Sequence, residues 1–77
     1  MEDFLKNWIA TNTGVDAATL ARDTPLLAAG MLDSLKLMEM ITAIEQETGR
    51  ELPLEEVVEE NFETLDAIMA MVARSAA

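Results

Sequence analysis

Gly30-Met31-Leu32-Asp33-Ser34-Leu35, continuing through Lys36-Leu37-Met38-Glu39-Met40-Ile41-Thr42-Ala43-Ile44-Glu45-Gln46-Glu47-Thr48, is the stretch from which the fold is read. From Ser34 to Thr48 the apolar residues return at Leu37, Met40, Ile41 and Ile44, the spacing of one face of an α-helix. Asp33 and Ser34 are both residue types that cap a helix, so this helix should open here and stop at Gly49. Ser34 then stands at a helix mouth, where free backbone N–H groups and the positive end of the dipole favour an anion. A phosphodiester on its hydroxyl would be well placed. So would a phosphorylated serine, or a hydroxyl that only caps the helix.

Working outward, Phe4, Leu5, Trp8 and Ile9 form a second helical stripe, which predicts a first helix from about Asp3 to Thr11, ended by Thr13-Gly14. Residues 15–33 make a long connection carrying Val15, Leu20, Leu26, Leu27, Met31 and Leu32. A structureless loop of that length is unusual in a small domain, so these side chains should pack over the bundle. A turn of helix is expected near Pro25-Leu26-Leu27, entered through Asp23-Thr24-Pro25.

Past Gly49, Leu52-Pro53 should open a short helix with Glu55 and Glu56 in its first turn and Val57 and Val58 facing inward. Thr64 is the expected cap of a last helix whose stripe is Leu65, Ile68, Met69 and Val72. The tail Arg74-Ser75-Ala76-Ala77 should fray. The expected fold is all-α: a small bundle of three main helices plus one short helix, with a long loop between helices 1 and 2, as a single domain over residues 1–77.

Composition narrows the function. The chain has 77 residues, 51% of them apolar but only three aromatic, Phe4, Trp8 and Phe62, so one small aliphatic core is what it can bury. Fifteen acidic residues against five basic ones give a net charge of −10, which disfavours nucleic acid and anionic membranes and favours partners with basic patches. No apolar run would cross a membrane and no signal segment precedes the first helix, so a cytoplasmic location is expected.

The chain has no cysteine and no histidine, removing disulfides, thiolate metal sites, the usual general base and the commonest metal ligand. Asp23, Asp33, Glu45 and Glu47 do not have the spacing of a calcium-binding loop, and Glu55-Glu56 with Glu59-Glu60 reads as a solvated acidic face, so no metal is expected. Nothing in the sequence activates Ser34 as a catalytic nucleophile. The domain reads as a substrate for other enzymes rather than as an enzyme.

Asp33-Ser34-Leu35, with Gly30 three residues before the aspartate and Ile44-Glu45 near the end of the following helix, resembles the acyl carrier protein family. Pro25-Leu26-Leu27, Leu52-Pro53 and Phe62-Glu63-Thr64-Leu65 also fall where that family has counterparts, so the resemblance spans nearly the whole chain. It implies a covalent 4′-phosphopantetheine on Ser34, with Asp33 as its motif neighbour. The arm's thiol, the only thiol on the molecule, would hold acyl intermediates as thioesters.

The implied partners are a phosphopantetheinyl transferase, an acyl- or aminoacyl-loading ligase, and synthases or transferases with basic docking patches; the implied state is a monomer. Lys36 stands where carriers of primary fatty-acid synthesis usually have an acid, and Leu37-Met38 and Thr48 also depart from their pattern. That points to a dedicated pathway. An aminoacyl or peptidyl carrier loaded by an adenylating ligase stays open beside the acyl carrier, as does an acidic helical interaction module without a prosthetic group.

A 100° step separates two faces of the central helix. With Leu37, Met40, Ile41, Ile44 and Thr48 inward, Leu35, Met38, Glu39, Thr42 and Glu45 lie on or beside the outer face. Apolar groups beside Ser34, flanked by carboxylates, fit a surface that partners dock on, and in the family resembled this helix is the one partners read.

Overall fold

The structure, a computed structural model, describes residues 1–75. Three α-helices, α1 (Glu2–Thr13), α2 (Ser34–Thr48) and α3 (Leu65–Ser75), are joined by segments containing 3₁₀ turns at Ala17–Thr19, Leu54–Glu56 and Glu59–Phe62. There is no strand among the described residues. The all-α expectation holds, and α2 has the bounds read from the sequence.

Helix α1 runs two residues beyond the expected end. The Thr13 hydroxyl donates to the Ile9 carbonyl at 2.6 Å, and the chain leaves the helix only at Gly14, in the left-handed region at φ 80°. Leu5 and Ile9 are fully buried; Phe4 and Trp8 pack half-buried against the same core.

The long connection is held from inside. Leu20, Leu26 and Leu32 are buried, and Val15, Leu27 and Met31 pack on them. The expected turn at Pro25 forms: the Ala29 N–H donates to the Pro25 carbonyl at 2.8 Å and the Met31 N–H to the Leu26 carbonyl at 2.9 Å. The 3₁₀ turn at Ala17–Thr19, capped by Asp16, has no counterpart in the expectation. Two backbone bonds tie the connection to the entry of α3, from the Leu26 N–H to the Glu63 carbonyl (2.8 Å) and from the Asp66 N–H to the Arg22 carbonyl (3.0 Å).

Between α2 and α3 the expectation needs correcting. The one short helix is two 3₁₀ turns, separated by Val57 and Val58. Val58 is extended (φ −131°, ψ 153°), so successive side chains point to opposite sides: Val57 packs on the core and Val58 is 44% exposed, not inward. The acidic pairs of this segment therefore do not stack on a helix. Phe62, fully buried, pins the second turn beneath α3.

Helix α3 is capped by Thr64 as expected, its hydroxyl accepting from the Ala67 N–H at 3.1 Å. Its buried face is Leu65, Ile68, Met71 and Val72, rotated toward Met71; Met69 lies half-buried at the edge. Arg74 does not fray. Its guanidinium binds Glu56 at 2.8 Å. The expected fraying of Ala76 and Ala77 lies outside the described residues.

Candidate functional site

The entry to α2 is a tightly determined piece of chain. Gly30, at φ 78°, turns the backbone through a conformation that L side chains avoid. Leu32 is then buried, its N–H reaching the Leu26 carbonyl, so the residue before Asp33 is anchored in the core. Asp33 is extended, and its Oδ1 accepts from the Lys36 N–H at 2.8 Å while its carbonyl accepts from the Leu37 N–H at 2.8 Å. Asp33 is the cap.

That assignment frees Ser34. It is the first helical residue, exposed, and among the described residues its hydroxyl has no hydrogen-bond partner. A side chain whose only purpose is capping would accept from the first turn, as Asp33 does. The hydroxyl instead faces solvent at the positive end of a fifteen-residue helix. These residues fit a phosphodiester: a free hydroxyl, first-turn N–H groups beside it, and no wall to exclude an arm.

Lys36 is engaged elsewhere. Its ammonium donates to the Asn12 carbonyl at 3.0 Å, satisfying an end-of-helix carbonyl of α1. Lys6 and Arg22 both bind Glu2 (2.9 and 2.8 Å) and Arg74 binds Glu56, so four of the five basic side chains are committed within the chain. Glu2 is held below the ordinary carboxylate value, first by Lys6 and then by Arg22; Arg22 is raised in turn by Glu2. Hydrogen bonding from Arg74 does the same to Glu56. Most of the remaining carboxylates face water without a basic neighbour.

On α2, Met40, Ile41 and Ile44 are buried and Leu37 is half-buried. Leu35 is 71% and Met38 58% exposed beside Ser34. Glu39 and Thr42 are exposed and line an open groove of about 340 Å³ against Trp8 and Asn12 of α1. Glu45 behaves differently from a free rim charge: half-buried, its Oε2 accepts from the Leu52 N–H at 2.9 Å and holds the chain that follows α2. Leu54, at 83% exposed, belongs to no helical stripe, and so no periodicity signals it.

Against known proteins, the sequence model of the phosphopantetheine attachment site matches residues 3–72. Over 59 residues the chain is 46% identical to the lincomycin biosynthesis protein LmbN of Streptomyces lincolnensis, a stretch that is 77% of this chain and 21% of that protein. The chain thus spans about a fifth of that relative. A chain in the crystal structure of an FAD-dependent dehydrogenase superposes with a TM-score of 0.76 at 30% identity, covering 88% of this chain and 97% of the other.

Proposed function

This chain belongs to the phosphopantetheine attachment-site family, and we propose that within it the chain is an acyl carrier, one domain over residues 1–77, whose Ser34 bears the 4′-phosphopantetheine of that family. One observation carries the assignment of the residue: Asp33 caps α2, leaving the Ser34 hydroxyl exposed and unengaged at the helix mouth. When bound, the group supplies a flexible arm ending in a thiol that holds cargo as a thioester. The chain supplies the rest. Ser34 offers the oxygen that attacks the phosphorus bearing the pantetheine of coenzyme A: the serine O–P bond forms as the pyrophosphate P–O bond breaks, adenosine 3′,5′-bisphosphate leaves, and the serine proton goes to a base, which in a chain without histidine is assigned to the transferase. First-turn N–H groups and the α2 dipole favour the resulting anion.

Family membership sets aside the interaction module without a prosthetic group. The rest of the reading follows from surface chemistry. Leu35 and Met38 are apolar anchors beside the serine, and Glu39 and Thr42 form part of their polar border, a pattern suited to partners with basic-rimmed pockets. The departure at Lys36 and the likeness to an antibiotic-biosynthesis protein support service in a dedicated pathway. The chain works as a monomeric carrier acted on by others: a phosphopantetheinyl transferase, a loading ligase and synthases, in the cytoplasm.

Intact mass after incubation with a broad-specificity phosphopantetheinyl transferase and coenzyme A tests the attachment. Wild type gains one phosphopantetheine and Ser34→Ala gains none; equal gain by the variant would sink the assignment. Mass spectrometry of the thioester formed with the pathway's own ligase tests the cargo: an amino acid there replaces the acyl carrier with the aminoacyl one.

A further inference from the structure

One side of α2, starting beside Ser34, faces α1 across the groove of about 340 Å³. Leu35, Glu39, Thr42 and Gln46 follow one another at i, i+4, i+7 and i+11, a single face of the helix. The last three, with Ala43, form one wall, and Trp8 and Asn12 of α1 form the other. The Lys36 ammonium on the Asn12 carbonyl ties the end of α1 to the first turn of α2.

The lining is part apolar and part amide. Trp8 and Ala43 are half-buried, and Asn12, Thr42 and Gln46 bring polar groups to the rim. The Asn12 amide nitrogen donates to the Trp8 carbonyl at 2.8 Å, and the Thr42 hydroxyl donates to the Met38 carbonyl at 3.2 Å. Among the described residues no bond engages the Trp8 indole N–H, the Asn12 amide oxygen or the Gln46 amide. The charged residue on the groove is Glu39, and Lys36 beside it is engaged by α1. An anionic ligand would be repelled here, whereas a neutral chain of methylene and amide groups finds both an apolar face and hydrogen-bond partners.

Beyond its phosphate, 4′-phosphopantetheine is such a chain: a geminal dimethyl group, two amides and short methylene runs, uncharged as far as the thiol. Three main-chain bonds span at most about 3.6 Å, so the roughly thirteen bonds from its phosphorus to its sulfur reach about 15 Å. Along the helix axis Thr42 lies about 12 Å and Gln46 about 18 Å from Ser34. The thiol end therefore reaches the middle of the groove. Tethering gives the arm an effective concentration of order ~1 mM, so contacts too weak to hold a free ligand can hold it. We propose that this groove is a resting site for the arm on Ser34, with its apolar portion on Trp8 and Ala43 and its amides toward Asn12 and Gln46. The proposal rests on Ser34 being the attachment residue.

Trp8 is the chain's single tryptophan and there is no tyrosine, so tryptophan emission reads the groove directly. The intact chain is compared before and after treatment with a broad-specificity transferase and coenzyme A, with intact mass to count the added arm. In the modified form, acrylamide quenching of Trp8 should fall by up to about twofold. Nuclear Overhauser cross-peaks should join the arm's geminal methyls to the indole ring. Ala43→Gln, which fills the groove with a good helix former, should accept the arm and lose both signals. Should Ala43→Gln fail to fold, Gln46→Ala on the exposed rim takes its place and should weaken both. Equal quenching in the two forms, or no cross-peak to the indole, with one phosphopantetheine on wild type, would overturn the resting site alone. Signals undiminished in the groove variant would overturn it too, since the arm would then reach Trp8 from elsewhere. No mass gain by wild type would overturn the Ser34 reading and the resting site with it.

Discussion

The two connections of this bundle are held by opposite means. The first, residues 15–33, is fastened by side chains from within: Leu20, Leu26 and Leu32 are buried, and backbone bonds to the entry of α3 follow from that burial. The second, residues 49–64, fully buries Phe62 alone; Leu52 and Val57 pack half-buried on the core, and the rest is fastened from outside, by Glu45 on Leu52 and by the Glu56–Arg74–Asn61 cluster. Apolar burial gives the first its position beneath Ser34. Charged side chains help to fix the second, and Leu54 is left in water. The segment that leads into Ser34, the proposed attachment residue, is thus anchored in the core. The ion pair that ties the second to α3 is partly exposed, so breaking it should cost little.

Mutation should separate the two in size. Leu26→Ala removes a fully buried side chain from the first connection and should cost about 2–5 kcal/mol of unfolding free energy. Urea denaturation measures it, and a loss no larger than that of an exposed Leu54→Ala would erase the distinction. Gly30→Ala comes next. A Cβ there meets nothing within 4 Å, so the cost is that of the φ 78° backbone alone, about 1 kcal/mol. If Gly30→Ala were neutral, the entry to Ser34 would be less determined than its hydrogen bonds indicate.

Arg74→Ala should cost several times less than Leu26→Ala, because the pair it breaks is solvent-exposed. Its effect should be local: amide exchange should quicken at residues 54–61 while the α2 core amides hold their protection. Uniform acceleration across the domain would mean that the second connection is as central to the fold as the first.

The same contrast explains what could be read from the sequence. Helix α2 was legible to both ends, since Asp33 and Gly49 act on their own neighbours and the apolar spacing lies within one element. The packing of the first connection was legible because six apolar residues in a small acidic chain have nowhere else to go. The second was not. Glu56 and Arg74 are eighteen residues apart, Glu45 and Leu52 seven, and in sequence each carboxylate looks like one more solvated charge. A helical reading turns Val58 inward where the chain is extended, and the stripe through Leu65, Ile68, Met69 and Val72 passes over Met71, which α3 buries in place of Met69. At the site, Ser34 is visible in the sequence as a helix-mouth serine, but two adjacent cap-type residues do not say which of them caps, and in the fold it is Asp33.

The smallest expected effect is also the most specific to the outer fastening. Hydrogen bonding from Arg74 holds the Glu56 carboxyl below its ordinary value of 4.5, against a weaker opposing push from desolvation and with further help from Asn61. A carboxyl lowered on folding contributes stability that is complete above the unfolded value and disappears as pH falls through the folded one. Absolute stability is a poor gauge, because protonating the many unpaired carboxylates relieves self-repulsion over the same range. Glu2 also titrates low, through Lys6 and Arg22. The difference between wild type and Arg74→Ala isolates the Glu56 share, since the other carboxylates are common to both. That difference should be constant from neutral pH down to about 5 and shrink as pH falls through the lowered folded value of Glu56. For Leu26→Ala, whose loss is apolar, the corresponding difference should not vary with pH. A gap between wild type and Arg74→Ala that stayed constant to the acid end would assign the second connection to packing, like the first.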